Sequence, residues 1–136
     1  MDSAYIYTNT EVMDIARDAD IIFTTNGWIT LQIKHNEGDE KIIFNRRGIY
    51  IVDFYACISN MCLSGAIFGI TINGRLVANS LSRTNDGIVL GQAVIQIEEG
   101  DILRIRNCSG KPLYFNCFAG GQEKNIRASI TINQIE

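Results

Sequence analysis

Short runs of β-branched and aromatic residues, broken by Gly, Asn and Asp, recur along this chain about every 10 residues. Examples are Gly48-Ile49-Tyr50-Ile51-Val52-Asp53-Phe54-Tyr55, Phe68-Gly69-Ile70-Thr71-Ile72-Asn73-Gly74 and Ala128-Ser129-Ile130-Thr131-Ile132. Runs this short, at hairpin spacing, leave no room for a helical layer and predict an all-β, two-sheet antiparallel sandwich. Alternation supports it. Leu31 and Ile33 oppose Thr30, Gln32 and Lys34, and Leu103 and Ile105 oppose Arg104 and Arg106. Near the end, Ile126, Ala128, Ile130 and Ile132 oppose Arg127, Ser129, Thr131 and Asn133. Each such strand has one dry and one wet face, the pattern of an antiparallel sheet packed on one side.

Eleven strands are expected, near residues 3–8, 21–25, 28–34, 41–45, 49–59, 66–73, 75–80, 88–97, 102–108, 113–118 and 126–135. Asn26-Gly27 and Asn73-Gly74 are dipeptides that accept positive φ at both centres of a tight hairpin, and both are read as such turns. The segment Thr10–Asp20 is read as a loop or a single turn. With 136 residues, one proline and no linker-like stretch, residues 1–136 read as a single domain.

The run from Ile49 to Ser59 differs from the rest. Tyr50, Val52, Phe54, Ala56 and Ile58 form one apolar face. Ile49, Ile51, Tyr55 and Cys57 make the other apolar as well, with Asp53 its only charge. The sandwich core explains one face. The second calls for cover from a loop or a neighbouring subunit, and is sequence-level evidence for an oligomer.

Groups that carry chemistry are sparse. His35 is the only histidine, in the turn Lys34–Asp39, and reads as a solvated loop residue. No Gly-x-Ser-x-Gly turn presents a nucleophile to it, and no Gly-x-x-x-x-Gly-Lys loop is present. Cys57, Cys62, Cys108 and Cys117 fit no common zinc spacing and are read as buried free thiols. The acidic turn residues Asp39, Glu40, Asp86, Glu98, Glu99 and Asp101 are read as solvated, with a calcium site built from two of these loops as the alternative. Asn107-Cys108-Ser109 fits a glycosylation triplet and is read as chance. Trp28 is read as a cap on the core, with a sugar-stacking platform as the alternative. The arginines Arg46, Arg47, Arg75, Arg83, Arg104 and Arg106 are scattered, and the net charge is -3, so nucleic acid is not an expected partner. Apolar runs fall far short of the ~20 residues that span a bilayer. Met1-Asp2-Ser3 does not start a signal peptide, which leaves export by the general secretory route unsupported. The expectation is no enzyme, with no catalytic, cofactor or metal site.

One ordered set of motifs resembles a known family. Ile21-Ile22-Phe23 comes first, then Gly48-Ile49-Tyr50, Ile70-Thr71-Ile72-Asn73-Gly74 and a polar loop with Ser80. Gly100-Asp101-Ile102-Leu103-Arg104-Ile105 and Ala128-Ser129-Ile130-Thr131-Ile132 follow. In this order, from about Ala4 to Ile135, the chain resembles the C-terminal jelly-roll domain of BclA, the collagen-like glycoprotein of the bacterial exosporium. That domain is itself similar to the complement q-subcomponent head and to tumour necrosis factor. The resemblance implies a tumour necrosis factor-like jelly roll whose first and last strands are neighbours. It further implies a homotrimer that acts as a non-enzymatic structural module at a spore surface or outside the cell. Other spore-surface proteins or glycans would be its partners, and neither nucleic acid nor membrane. The sequence departs from the family in lacking a Gly-x-y repeat and a basal-layer targeting leader, as in a bare head or one cut from a longer chain. The alternative reading is a ligand- or glycan-binding knob such as a phage fibre head or a lectin-like receptor-binding domain.

Overall fold

The computed structural model describes residues 1–9, 14–59, 65–78, 80–84, 87–115 and 126–136, with Arg83 and Thr84 as backbone. Its strands are β1 (Ser3–Thr8), β2 (Asp14–Ile15), β3 (Thr25–Ile29), β4 (Ile33–Lys34), β5 (Ile42–Phe44), β6 (Gly48–Cys57) and β7 (Ala66–Ile72). They continue as β8 (Arg75–Leu76), β9 (Ser82–Thr84), β10 (Ile88–Ile97), β11 (Ile102–Asn107), β12 (Leu113–Tyr114) and β13 (Ala128–Gln134).

Two antiparallel sheets face each other. The first runs β10-β6-β13-β1-β3, and the second runs β4-β5-β11-β7-β8 with β9 also on β7. The first and last strands pair along their whole length, from Ser3↔Asn133 to Thr8↔Ala128, as the resemblance implied. β6 is central, bonded to β10 on one side and β13 on the other.

Alternation puts the dry faces together. Ile6, Tyr50, Val52, Phe54, Ile130 and Ile132 of the first sheet meet Phe44, Phe68, Ile70, Leu103 and Ile105 of the second in one buried cluster. Phe44 and Tyr50 pack edge to face with ring centroids 4.8 Å apart. The Tyr50 hydroxyl, inside this core, donates to the Arg46 carbonyl at 2.9 Å. Burying each such isoleucine stabilises the fold by roughly 1.5–3 kcal/mol. The hairpin at Asn73-Gly74 has φ of 53° and 83°, the doubly positive turn its residues predict. Ser80 is buried and bonds both the N–H and the carbonyl of Ile70, completing an edge that β8 leaves short.

Several expected elements differ. The strand expected at 28–34 is two strands in two sheets, because the chain leaves the first sheet at Thr30 and turns into β4. The turn closes from Ile33 N–H to the Thr30 carbonyl at 3.2 Å. Leu31, at its tip, is 75% exposed while Ile33 is buried, so the two do not share a face. Asn26-Gly27 is not a hairpin. It lies within β3, where the register against β1 shifts between Tyr5 and Ile6. The strand near 21–25 reduces to a bridge from Phe23 to Asp39, with Thr25 taken into β3, and Ile21 and Phe23 are buried. Asp14–Ile15, expected as loop, pairs with Leu113–Tyr114. At the end of the chain Ile126 is 39% exposed and does not join the inward row of Ala128, Ile130 and Ile132. β9, at Ser82–Thr84, lies where no strand was expected.

Candidate interaction surface

The core takes only the inner face of the first sheet. On the outer face, Ile49, Ile51, Tyr55 and Cys57 of β6 are half-buried, with β10 and β13 as their sheet neighbours among the described residues. Beside them β10 turns Ile88, Leu90 and Val94 outward, with Leu90 70% and Val94 62% exposed. Register seats Leu90 opposite Tyr55 and Val94 opposite Ile51, so the four form one apolar patch. A single polar pair crosses it, where Gln92 Nε2 donates to Asp53 Oδ1 at 2.7 Å. Burial, followed by its neighbour Cys57, holds the Tyr55 hydroxyl above its ordinary pKa. The doubly apolar nature of β6 was legible in the sequence. The share of β10 was not singled out, though the adjacent apolar pairs Ile88-Val89 and Val94-Ile95 carry the same signal.

The other half of this face is aromatic. Tyr5 and Tyr7 of β1 point outward with ring centroids 5.6 Å apart, tilted by 32°. Trp28 of β3 stands directly opposite Tyr5, and its indole N–H donates to Ser3 Oγ at 3.0 Å. Trp28 is 63% exposed, so it does not cap the core as expected. Gly27 makes this arrangement possible. A Cβ there would lie 2.9 Å from the Tyr5 ring and 3.2 Å from the Tyr7 ring.

The remaining candidates are committed to structure. His35 is buried rather than solvated. Its Nε2–H donates to the Asp39 carbonyl at 2.7 Å, Nδ1 lies 2.5 Å from Asn26 Oδ1, and Asn26 Nδ2 returns a bond to the His35 carbonyl. Phe23 packs edge-on against the imidazole. The histidine thus pins the turn Lys34–Asp39 to β3. Asn107 of the glycosylation triplet is fully buried, donating to the carbonyls of Ala16 and Lys111 and accepting from Ser109 N–H.

Arg104 and Arg106 both approach Asp20 at 3.9 Å, and Arg46 and Arg47 pair with Asp2 and Glu98. Burial pushes the Asp20 carboxyl above its ordinary pKa, against the pull of Arg106 and Arg104. Asp101 accepts from Asn73 Nδ2 and from Glu98 N–H, so it holds its own turn. Cys57 and Cys108 are free and half-buried, and burial raises the Cys108 thiol. Cys62, Cys117 and Asp86 lie outside the described residues. Among the described residues no three His, Cys, Asp or Glu side chains gather to hold a metal, and no helix is long and apolar enough to cross a membrane.

Solved structures with this architecture are numerous. The globular domain of zebrafish complement 1qA superposes with a TM-score of 0.72 at 13% identity, covering 100% of this chain and 98% of that one. Eiger, a tumour necrosis factor from S. frugiperda, gives 0.69 at 12% identity, with 98% and 92% covered. Murine APRIL at pH 8.5 gives 0.64 at 8% identity, with 96% and 97% covered. The fold is the complement 1q and tumour necrosis factor jelly roll. No family model matches the sequence, and no curated protein matches it either. Within this jelly roll the outer face of the first sheet is the candidate site, apolar over β6 and β10 and aromatic over β1 and β3.

Proposed function

We propose that residues 1–136 act as one non-enzymatic jelly-roll module that homotrimerises and displays a surface, as the resemblance to the exosporium glycoprotein head implies. The observation that carries this reading is the patch of Ile51, Tyr55, Leu90 and Val94, left open on a sheet whose core face is already satisfied. Apolar patches rimmed by polar groups mark interaction sites. Cyclic symmetry lets identical chains cover such a patch while the loops at the ends of the sandwich stay free. A non-enzymatic role fits the structural commitment of His35, which has both ring nitrogens hydrogen-bonded.

Charging the patch tests the reading. Leu90→Asp and Val94→Asp are expected to give dissociated chains that keep a cooperative melt, since neither side chain contributes to the core. Variants that assemble like the wild type would overturn it. Placement at a spore surface rests on the resemblance, and antibody labelling of intact spores tests it separately. A second reading, recognition of a glycan, is favoured by the exposure of Trp28.

A further inference from the structure

We propose that Tyr5, Tyr7 and Trp28 form a stacking platform for a neutral carbohydrate, lying within one chain and needing no second copy to be complete. Each element of the patch fits that ligand. The Trp28 ring is presented rather than buried, and the bond from its indole N–H to Ser3 Oγ fixes its orientation before any ligand arrives. A pre-set ring loses less freedom on binding than a mobile one. Tyr5 faces Trp28 across the strand pair, and Tyr7 extends the surface along β1.

Between them passes Gly27, the residue at the register shift. Glycine weakens a strand, yet any side chain here would strike the two tyrosine rings. The local backbone is therefore built around an open aromatic floor. A pyranose offers a face of polarised C–H groups to such a floor, matching the negative face of each ring.

The rim matches the ligand's other property, its hydroxyls. Register places Thr131 beside Tyr5, and Ser129 and Thr25 on either side of Tyr7. These positions are uncharged, so the patch offers nothing to a phosphate, a nucleic acid or an acidic peptide. It suits a neutral sugar, whose hydroxyls both donate and accept as the serine and threonine hydroxyls do. Ser129 and Thr131 also border Tyr55 and Asp53 of β6, so what sets the platform apart is its three aromatic rings, with Trp28 presented to solvent.

Trp28 is the single tryptophan in the chain, so its own fluorescence reports the site. Soluble hexamers of glucose, mannose, galactose and N-acetylglucosamine are titrated against the full chain up to about 10 mM, enough to reveal a millimolar Kd. At least one hexamer is expected to give a saturable emission change at one ligand per chain. Ligand-observed NMR should then show binding lost in Trp28→Ala, weakened in Tyr5→Ala and largely kept in Trp28→Phe. Trp28→Ala is expected to melt like the wild type, because the side chain is exposed. The proposal is overturned if no hexamer gives a saturable change, or if Trp28→Ala still binds. It is equally overturned if acrylamide cannot quench Trp28 in the native protein, for then a protein surface covers the platform. Assembly is read separately by mass, so either idea can fail while the other stands.

Discussion

His35 and Asp20 show how much of this fold rests on polar groups held at its seams. His35 joins the turn before β5 to β3 through the Asp39 carbonyl and the Asn26 amide. Replacing it with alanine leaves both without their partner in a partly buried place. His35→Ala is expected to cost about 1–3 kcal/mol in denaturant unfolding, the range for stranded buried polar groups. A cost near zero would show that water replaces the imidazole freely.

For Asp20 the sign of the pH effect follows from its cause. Burial raises the carboxyl pKa in the folded state more than Arg106 and Arg104 lower it. A group raised by folding contributes stability that is present in acid and lost as pH rises through the folded-state value. Asp20→Asn should therefore melt higher than the wild type at pH 7, and the two should converge below about pH 4. A lower melting temperature at pH 7 would mean that the arginine pairs outweigh the burial. Neither role was legible in the sequence. Whether a turn histidine is solvated depends on what crosses it, and here Phe23 and Asn26 arrive from residues that carried no mark of it. Trp28 was misplaced for a related reason, since the register shift at Gly27 sets which way it points.

At the scale of elements, β13 holds the first sheet together. It lies between β1 and β6, bonded to both, with Ala128, Ile130 and Ile132 fully buried. Truncation before residue 126 would uncover two strands and open the core, and is expected to give insoluble protein. Within the strand, Ile130→Ala should cost about 2–5 kcal/mol in a chemical melt, the usual range for a buried isoleucine. A soluble truncation with a cooperative transition would contradict this placement.

The dry faces of β6, β11 and β13 were readable because a half-buried strand must alternate with period 2, and theirs does. The break between β3 and β4 was not. The sequence pattern alternates through the turn at Leu31 and Ile33 although the structure there does not, with Leu31 exposed and Ile33 buried. Asn26-Gly27 misled in the same way, for a dipeptide suited to a tight hairpin is also suited to a bulge inside a strand. The outer patch was half legible: β6 announced itself, while β10 and the Tyr5-Tyr7 pair required the register.

For the whole molecule, the two sheets enclose one continuous core among the described residues. Cys57 lies on the outer face of the first sheet and Cys108 follows β11 of the second, which keeps them apart. A reducing agent is expected to leave the melting temperature unchanged. A disulfide would contribute about 2–4 kcal/mol, worth several degrees, so a clear drop would place one in the protein.

The central claim concerns the face that the core does not use. Leu90 and Val94 stand exposed beside the half-buried Ile51 and Tyr55 in the single chain, and that exposure is explained if identical chains cover the patch. Multi-angle light scattering of the purified wild-type protein at micromolar concentration measures this directly. The account predicts one species of three 15.2 kDa chains, about 46 kDa. A stable particle with the mass of a single chain would contradict it.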